Sequence, residues 1–103
     1  MDKLPYKVII DELPEKGQMR FSGQLIINHI EKITDIVKAG LKADKDLLIE
    51  IDNPDSLDVT FIQLVLSLKA TLSANGCSTS IKANLKEELH TLVKNSGFQY
   101  VLN

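Results

Sequence analysis

Two hydroxyl groups and a carboxylate stand close together in the stretch SLDVTFIQL, at Ser56, Thr60 and Asp58. The stretch follows the strand-like run LLIEI and the turn DNPD, and it opens one of the most hydrophobic segments of the chain. An acid at a helix start accepts hydrogen bonds from free backbone N–H groups. A hydroxyl there can be phosphorylated, which adds about two negative charges beside the partial positive charge of the helix end. The residues therefore predict either a plain helix cap or a charge-operated docking switch.

Other reactive side chains are too few or too scattered to form a familiar catalytic or metal centre. His29 and His90 fall on different predicted helices, and the single cysteine, Cys77, follows a glycine at a turn. The chain has no CxxC, HExxH, GxxxxGK[ST] or GxGxxG motif. Several acids fall on helix faces that we expect to be solvated: Glu31, Asp35, Glu87 and Glu88. We therefore expect a protein that is not an enzyme and that uses no cofactor and no metal.

Length and composition fit one globular domain. The 103 residues, 44% hydrophobic and 25% charged, are enough for one core and too few for two. A net charge of -2, with lysines and acids interspersed, provides no basic surface for nucleic acid. One cysteine cannot form an internal disulfide, and neither a signal peptide nor an apolar run of about 20 residues is present. We expect one cytoplasmic domain over residues 1–103, without direct membrane insertion.

The elements that position the hydroxyls and the acid follow from periodicity. Tyr6–Glu12 and residues 18–22 are rich in β-branched and aromatic residues, and the turn LPEKG between them predicts a hairpin. We expect Gly23 to end the second strand. Apolar residues then recur at the spacing of one helix face, which predicts a first helix: Ile26, Ile30, Ile33, Val37 and Leu41.

The run LLIEI, residues 47–51, predicts a central strand because it is short, apolar and bounded by charges and by Asn53-Pro54. A second, mostly buried helix follows, with its apolar stripe at Phe61, Leu64, Val65, Leu68 and Leu72. Asn75-Gly76 is expected to stop this helix. The segment 52–60 therefore lies at the carboxyl end of a strand, where ligands and partners meet α/β sheets.

The last third of the chain predicts one more strand and one more helix. Residues 78–82 favour a strand, and Asn84 with Glu87 forms a capping-box pattern for a third helix that ends at Gly97. Residues 98–102 are apolar enough for a final strand or a packed tail. The order ββαβαβα indicates an α/β fold, a mainly parallel sheet with an antiparallel edge and right-handed crossovers.

The order and spacing of these segments resemble the STAS family, the sulfate transporter and anti-sigma factor antagonist domains. FSGQLIINHIEKI resembles the family's second strand and first helix, and LLIEIDNPDSLDVTFIQLVLSL resembles its central strand, loop and second helix. ANGCSTSI and LKEELHTLVKNSGF resemble the following strand and the last helix. The resemblance implies a STAS-like sandwich: a four- or five-stranded, mostly parallel sheet with an antiparallel edge, and about three main helices packed against it.

The family's signature at the start of the second helix is an aspartate, a serine or threonine, a small or hydroxyl residue, and a glycine. Asp58, Val59, Thr60 and Phe61 occupy these positions here and are the candidate partner contacts. Val59 cannot be phosphorylated, so Thr60 and Ser56 are the candidate phosphorylation sites. The ring of Phe61 either belongs to the core, as its place on the apolar stripe favours, or forms an exposed partner contact.

The resemblance implies a non-enzymatic signalling module that binds an anti-sigma or kinase-like ATPase through the N-terminus of the second helix, with phosphorylation as its regulator. An alternative is a constitutive accessory subunit docked on the ATPase of a bacterial ABC-type lipid transporter, which Val59 favours. A third setting is a scaffold near chemotaxis-like histidine kinases. A small enzyme or nucleotide-binding domain is a reading of a different class, which nucleotide titration would test.

Overall fold

A computed structural model describes residues 4–96 of the chain. The elements are β1 (Tyr6–Glu12), β2 (Lys16–Leu25), α1 (Ile27–Gly40), β3 (Asp46–Asp52), β4 (Ser56–Leu57), α2 (Val59–Ala74), β5 (Thr79–Asn84) and α3 (Glu87–Ser96). The predicted order ββαβαβα is confirmed, with the two-residue β4 as an addition. The predicted helix end at Gly97 and the predicted strand or tail at 98–102 lie outside the described residues.

The sheet has the strand order β1-β2-β3-β5, and β4 pairs with the end of β2. β1 and β2 form the predicted antiparallel hairpin, which is closed by a hydrogen bond from Leu13 N to Lys16 O of 2.9 Å. The pairs β2–β3, β3–β5 and β2–β4 are all parallel. The prediction of an α/β fold with a mostly parallel sheet and an antiparallel edge is therefore confirmed.

The hydrophobic core follows from two periodicities. Alternate residues of β2 and β3 are buried: Met19, Phe21, Leu25, Leu47, Ile49 and Ile51. Helical spacing buries Ile33 and Val37 of α1 and a longer row on α2: Phe61, Ile62, Val65, Leu68 and Leu72. These side chains form one cluster, which holds the starts of α1 and α2 in fixed positions on the sheet.

The prediction that Gly23 ends the second strand is wrong, because β2 continues to Leu25. Gly23 has a φ of +85°, and a Cβ atom there would lie 2.5 Å from the carbonyl oxygen of Pro5. β2 pairs with β3 up to Phe21 and with β4 from Gln24 onward. The glycine therefore lies where the strand changes partner, in a backbone conformation that a side chain would strain.

The capping box at Asn84 is also wrong. β5 extends to Asn84, whose carbonyl oxygen accepts a hydrogen bond of 2.7 Å from the N–H of Asn53, and α3 begins later, at Glu87. Asn84 therefore belongs to the strand that pairs with β3, and not to the cap of α3 that the local pattern predicted. At the end of α2, by contrast, Asn75-Gly76 acts as predicted: Gly76 has a φ of +75°, and its N–H donates to Ser73 O over 3.1 Å.

Candidate functional site

The starts of α1 and α2 lie side by side at the carboxyl end of the sheet. β4 brings the loop after β3 back to β2, so that Ser56 pairs with Gln24 and Leu57 with Leu25. The N–H of Asp58 then donates to the carbonyl oxygen of Leu25 over 3.1 Å. Since α1 begins directly after β2, this short strand fastens the first turn of α2 beside the first turn of α1.

Asp58 caps both helices with one carboxylate. Its Oδ1 accepts a hydrogen bond of 3.0 Å from the N–H of Thr60 and another from the Thr60 hydroxyl, which confirms the predicted N-cap of α2. Its Oδ2 accepts a hydrogen bond of 2.8 Å from the N–H of Ile27, the first residue of α1. Ile26, at the N-cap position of α1, provides no side-chain cap, and neither helix has an acid in its first turn. Asp58 therefore provides the charge that both helix dipoles favour.

The environment of Asp58 keeps its carboxylate ionised. Burial alone would raise the pKa of Asp58, but the hydrogen bonds from the Thr60 hydroxyl and from the N–H groups of Ile27, Thr60 and Phe61 outweigh burial and hold the pKa below its ordinary value. Those N–H groups are the donors with which a helix start would bind a phosphate. Here these N–H groups already donate to the carboxylate of Asp58, so they are not free to bind a phosphate.

Phe61 belongs to the core. Its side chain is fully buried, and its ring packs edge-to-face against Phe21 with the ring centroids 5.0 Å apart. Of the two alternatives for this residue, the core position is correct. The expectation that Phe61 contacts a partner is corrected, since a buried ring offers a partner no surface.

The other three candidates differ in how much they present to solvent. The side chain of Val59 is 45% exposed at the first position of α2. Thr60 is half-buried and its hydroxyl donates to Asp58, while Ser56 is half-buried within β4. The structure thus brings Ser56, Val59 and Thr60 together around Asp58, and Val59 is the most exposed of them.

Sequence reasoning missed Ile27, whose side chain is 65% exposed. Because its N–H is bonded to Asp58, this residue lies next to the same carboxylate as Val59. The signal was present in the sequence: the predicted apolar stripe of the first helix starts at Ile26 and continues at Ile30, and Ile27 lies off that stripe. An isoleucine on the solvated side of a helix has no place in the core. We name the exposed pair Ile27 and Val59 the apolar head.

A groove of about 350 Å³ runs between α1 and α2, and Thr60, the neighbour of Val59, is among the residues that line it. Its walls combine apolar side chains, such as Ile30 and Leu64, with the hydroxyls of Thr34, Thr60 and Ser67. Thr60 is therefore common to the cap and to the groove. A partner that covers the apolar head can extend along this groove without meeting a buried charge.

The remaining reactive residues form no second centre in the part of the chain that is described. His29 lies with Nε2 3.1 Å from Gln24 Oε1 and with its ring 5.5 Å from that of Tyr6. Within residues 4–96 no group of three or more metal-ligating side chains occurs. None of the helices in that range has the length and apolar character needed to span a membrane.

Comparison with known proteins identifies the fold. No protein-family model matches the chain, and no curated protein matches its sequence. The STAS domain of an anti-sigma-factor antagonist from Rhodobacter sphaeroides is similar, with a TM-score of 0.55 and 14% identity over 74% of this chain and 84% of that one. The anti-sigma factor antagonist SpoIIAA in its unphosphorylated form has a TM-score of 0.62 and 19% identity, over 91% of this chain and 84% of that one. The chain therefore has the STAS fold, with a five-stranded mixed sheet and three helices.

Proposed function

We propose that this chain, which has the STAS fold, is a non-enzymatic module that binds a protein partner through the start of α2. One observation carries the proposal: Ile27 and Val59 are both exposed, each as the first residue of a helix, and the carboxylate of Asp58 joins the two helix starts. Exposed apolar residues that are grouped, rather than scattered, are typical of docking surfaces. The groove beside them offers hydroxyls that can satisfy a partner's polar groups.

The partner that we favour is an anti-sigma factor or a related kinase-like ATPase. The two similar structures are both anti-sigma factor antagonists, and this chain shares their fold. The association would be reversible and of ordinary interface size, about 1,600 Å² in total. The Asp58 carboxylate would lie within that interface as a fixed charge that a partner recognises.

Thr60 is the hydroxyl through which we propose that docking is regulated. Its side chain donates to Asp58, so a phosphate on Thr60 would replace a hydrogen-bond donor with about two negative charges beside an existing carboxylate. Repulsion would open the cap and change the surface that the partner meets. Ser56, half-buried in β4, is the second candidate, and its phosphorylation would disturb the pairing with Gln24 instead.

A second candidate function is constitutive docking on the ATPase of an ABC-type lipid transporter. The observation that favours it is Val59, an exposed side chain without a hydroxyl at the head of α2. The hydroxyl of Thr60 is hydrogen-bonded to Asp58, which also favours this second function. In this case the cap around Asp58 would be a permanent structural feature, and no kinase would act on the module.

Affinity capture from the native lysate, followed by mass spectrometry, tests the proposal. Three baits are compared: the wild-type chain, Val59→Asp in the apolar head, and Ile36→Asp as a control at a residue 37% exposed elsewhere on α1. An acid at the first position of a helix is tolerated, so Val59→Asp should fold.

We expect a protein that the wild type and Ile36→Asp retain and that Val59→Asp loses. A kinase-like ATPase would support the first function, and a transporter ATPase the second. If every protein that the wild type captures is also captured by Val59→Asp, the apolar head is not the docking surface.

A further inference from the structure

β1 forms one edge of the sheet, and no strand within residues 4–96 pairs with its outer side. The two hydrogen bonds that flank the β1–β2 ladder fix its phase: Leu13 N donates to Lys16 O over 2.9 Å, and Gln24 N donates to Pro5 O over 2.8 Å. Both pairs fit the register in which Ile9 lies opposite Arg20. The strand therefore exposes a defined half of its backbone groups.

In an antiparallel ladder, hydrogen-bonded pairs alternate with non-bonded pairs. Counting from Leu13 and Pro5, the backbone groups of Lys7, Ile9 and Asp11 point to β2. The N–H and C=O groups of the intervening residues point away from the sheet: Tyr6, Val8, Ile10 and Glu12. An edge with such a row of open donors and acceptors is a template for another strand.

We propose that this edge pairs with β1 of a second copy of the chain, antiparallel, about a two-fold axis at Ile9. Val8 then exchanges backbone hydrogen bonds with the partner subunit's Ile10, and both residues have outward-pointing groups as this pairing requires. Ile9 lies beside the partner subunit's Ile9 as a close, non-bonded pair. The two sheets join into one across a self-complementary interface.

Charge complementarity selects this partner and this register. The strand places Lys7 and Asp11 symmetrically about Ile9, so that Lys7 lies opposite the partner subunit's Asp11 and Asp11 opposite the partner subunit's Lys7. Both side chains are exposed, and their neighbours on β2 are the uncharged Ser22 and Gln18. Moving the axis to Val8 or Ile10 keeps the backbone phase but puts each charge opposite an uncharged residue. Among the residues of β1, only the axis at Ile9 gives two opposite-charge pairs.

Apolar contacts at the edge support the same pairing. Val8 and Ile10 are half-buried and pack against the hydrophobic core from the side of the helices. Paired across the axis, they continue that core from one copy into the other. Leu13, which is exposed in the single chain, lies opposite the partner subunit's Pro5. The contact is one strand wide, so it belongs with the smaller interfaces and with micromolar or weaker affinity.

Sedimentation equilibrium of the purified chain, at concentrations up to about 0.5 mM, tests this interface. The variants are Lys7→Asp, Asp11→Lys and the double exchange K7D/D11K, in which the two pairs are restored with reversed signs. Lys32→Asp is the control, because it makes the same charge change on the exposed face of α1. Circular dichroism confirms that each variant is folded.

We expect the wild-type mass to rise toward twice the 11.5 kDa of one chain. Each single variant should weaken dimerisation about tenfold, because two like-charge pairs replace two attractive ones. The double exchange should restore the wild-type value, and Lys32→Asp should leave it unchanged. A wild type that stays monomeric over the whole range overturns the proposal, and so does a dimer that Lys7→Asp leaves intact or that the double exchange fails to restore.

Discussion

The N–H of Ile27 donates to Oδ2 of Asp58 over 2.8 Å, so the first turn of α1 is capped by a residue 31 positions later in the chain. The other oxygen of the same carboxylate caps α2 through Thr60. One side chain therefore joins two helix starts that β4 also holds beside each other. The cap helps to keep the spacing of the exposed side chains on those starts, Ile27 and Val59.

Removing the carboxylate should destabilise the protein more than the loss of an ordinary cap. Replacing an N-cap acid by alanine costs about 1 kcal/mol, and Asp58→Ala removes the cap of two helices, so we expect a loss of about 2–3 kcal/mol. Asp58→Asn is the control, because an amide oxygen still accepts one of the hydrogen bonds. Urea denaturation measures the free energy of unfolding of both variants. If Asp58→Ala lowers the free energy of unfolding no more than Asp58→Asn does, the hydrogen bond that the asparagine still accepts contributes nothing to stability.

The same carboxylate should make stability depend on pH in the acid range. The folded state holds the pKa of Asp58 below its unfolded value of 3.8, so the stabilisation is present above that value and is lost as the pH falls through the folded pKa. Asp58→Asn cannot titrate at this position. We therefore expect the difference in unfolding free energy between wild type and Asp58→Asn to shrink below about pH 3.8. A difference that stays constant from pH 7 to pH 2 would contradict the assignment.

The glycines at positions 23 and 76 provide a matched pair for testing backbone strain. Both have positive φ, but a Cβ at Gly23 would lie 2.5 Å from Pro5 O, whereas nothing lies within 4 Å of one at Gly76. Gly76→Ala should cost about 1 kcal/mol, from conformation alone. Gly23→Ala should cost about 3 kcal/mol or more, because the hairpin must also move apart. Thermal unfolding of the two variants measures the difference, and equal losses would show that the backbone at Gly23 relaxes.

Local patterns predicted the elements well where burial on one face decides them. The run LLIEI is short, apolar and bounded by charges, and Val65, Leu68 and Leu72 recur at helical spacing, so strand and helix were evident from the sequence. The predicted end of β2 and the cap at Asn84 failed because pairing with distant strands extended both β2 and β5. Such pairing depends on residues remote in the chain.

The sequence predicted the contacts of the site that lie within α2, but not its contact with α1. Asp58 as the N-cap of α2 follows from its position two residues before Thr60, and the stripe that contains Phe61 indicated its burial. The contact with Ile27 needs β4, whose two residues pair with the end of β2. A strand of two residues has no periodicity to detect, so the second cap, and the approach of Ile27 to the start of α2, became visible only in three dimensions.

The burial of Phe61 and the exposure of Val59 predict opposite effects for two adjacent substitutions. Phe61→Ala empties a position in contact with Phe21 and should cost about 3–5 kcal/mol. Val59→Ala removes two methyl groups from a surface and should change stability by less than about 0.5 kcal/mol, while it weakens partner capture. Urea denaturation and the capture assay together separate the two roles. A mild effect of Phe61→Ala on stability would return this residue to the candidate contacts.

A negative charge on Thr60 should act on the cap, and a negative charge further along α2, outside the groove, should not. Thr60→Glu places a carboxylate beside Asp58 and removes the hydroxyl donor, so we expect a loss of about 2 kcal/mol in the free energy of unfolding and weaker partner capture. Thr60→Val removes only the donor and should cost about 1 kcal/mol. Ala70→Glu adds a negative charge at an exposed position of α2 that does not line the groove, and it serves as the control.

The comparison of these three variants separates a switch from a fixed surface. If Thr60→Glu lowers capture while Thr60→Val and Ala70→Glu retain it, negative charge at the cap is what the partner senses, and phosphorylation of Thr60 has a physical basis. If Thr60→Glu folds and captures the partner as the wild type does, charge at this hydroxyl is irrelevant to docking. Val59 and Ile27 would then act as a constitutive surface, because the carboxylate that holds them responds to no added charge.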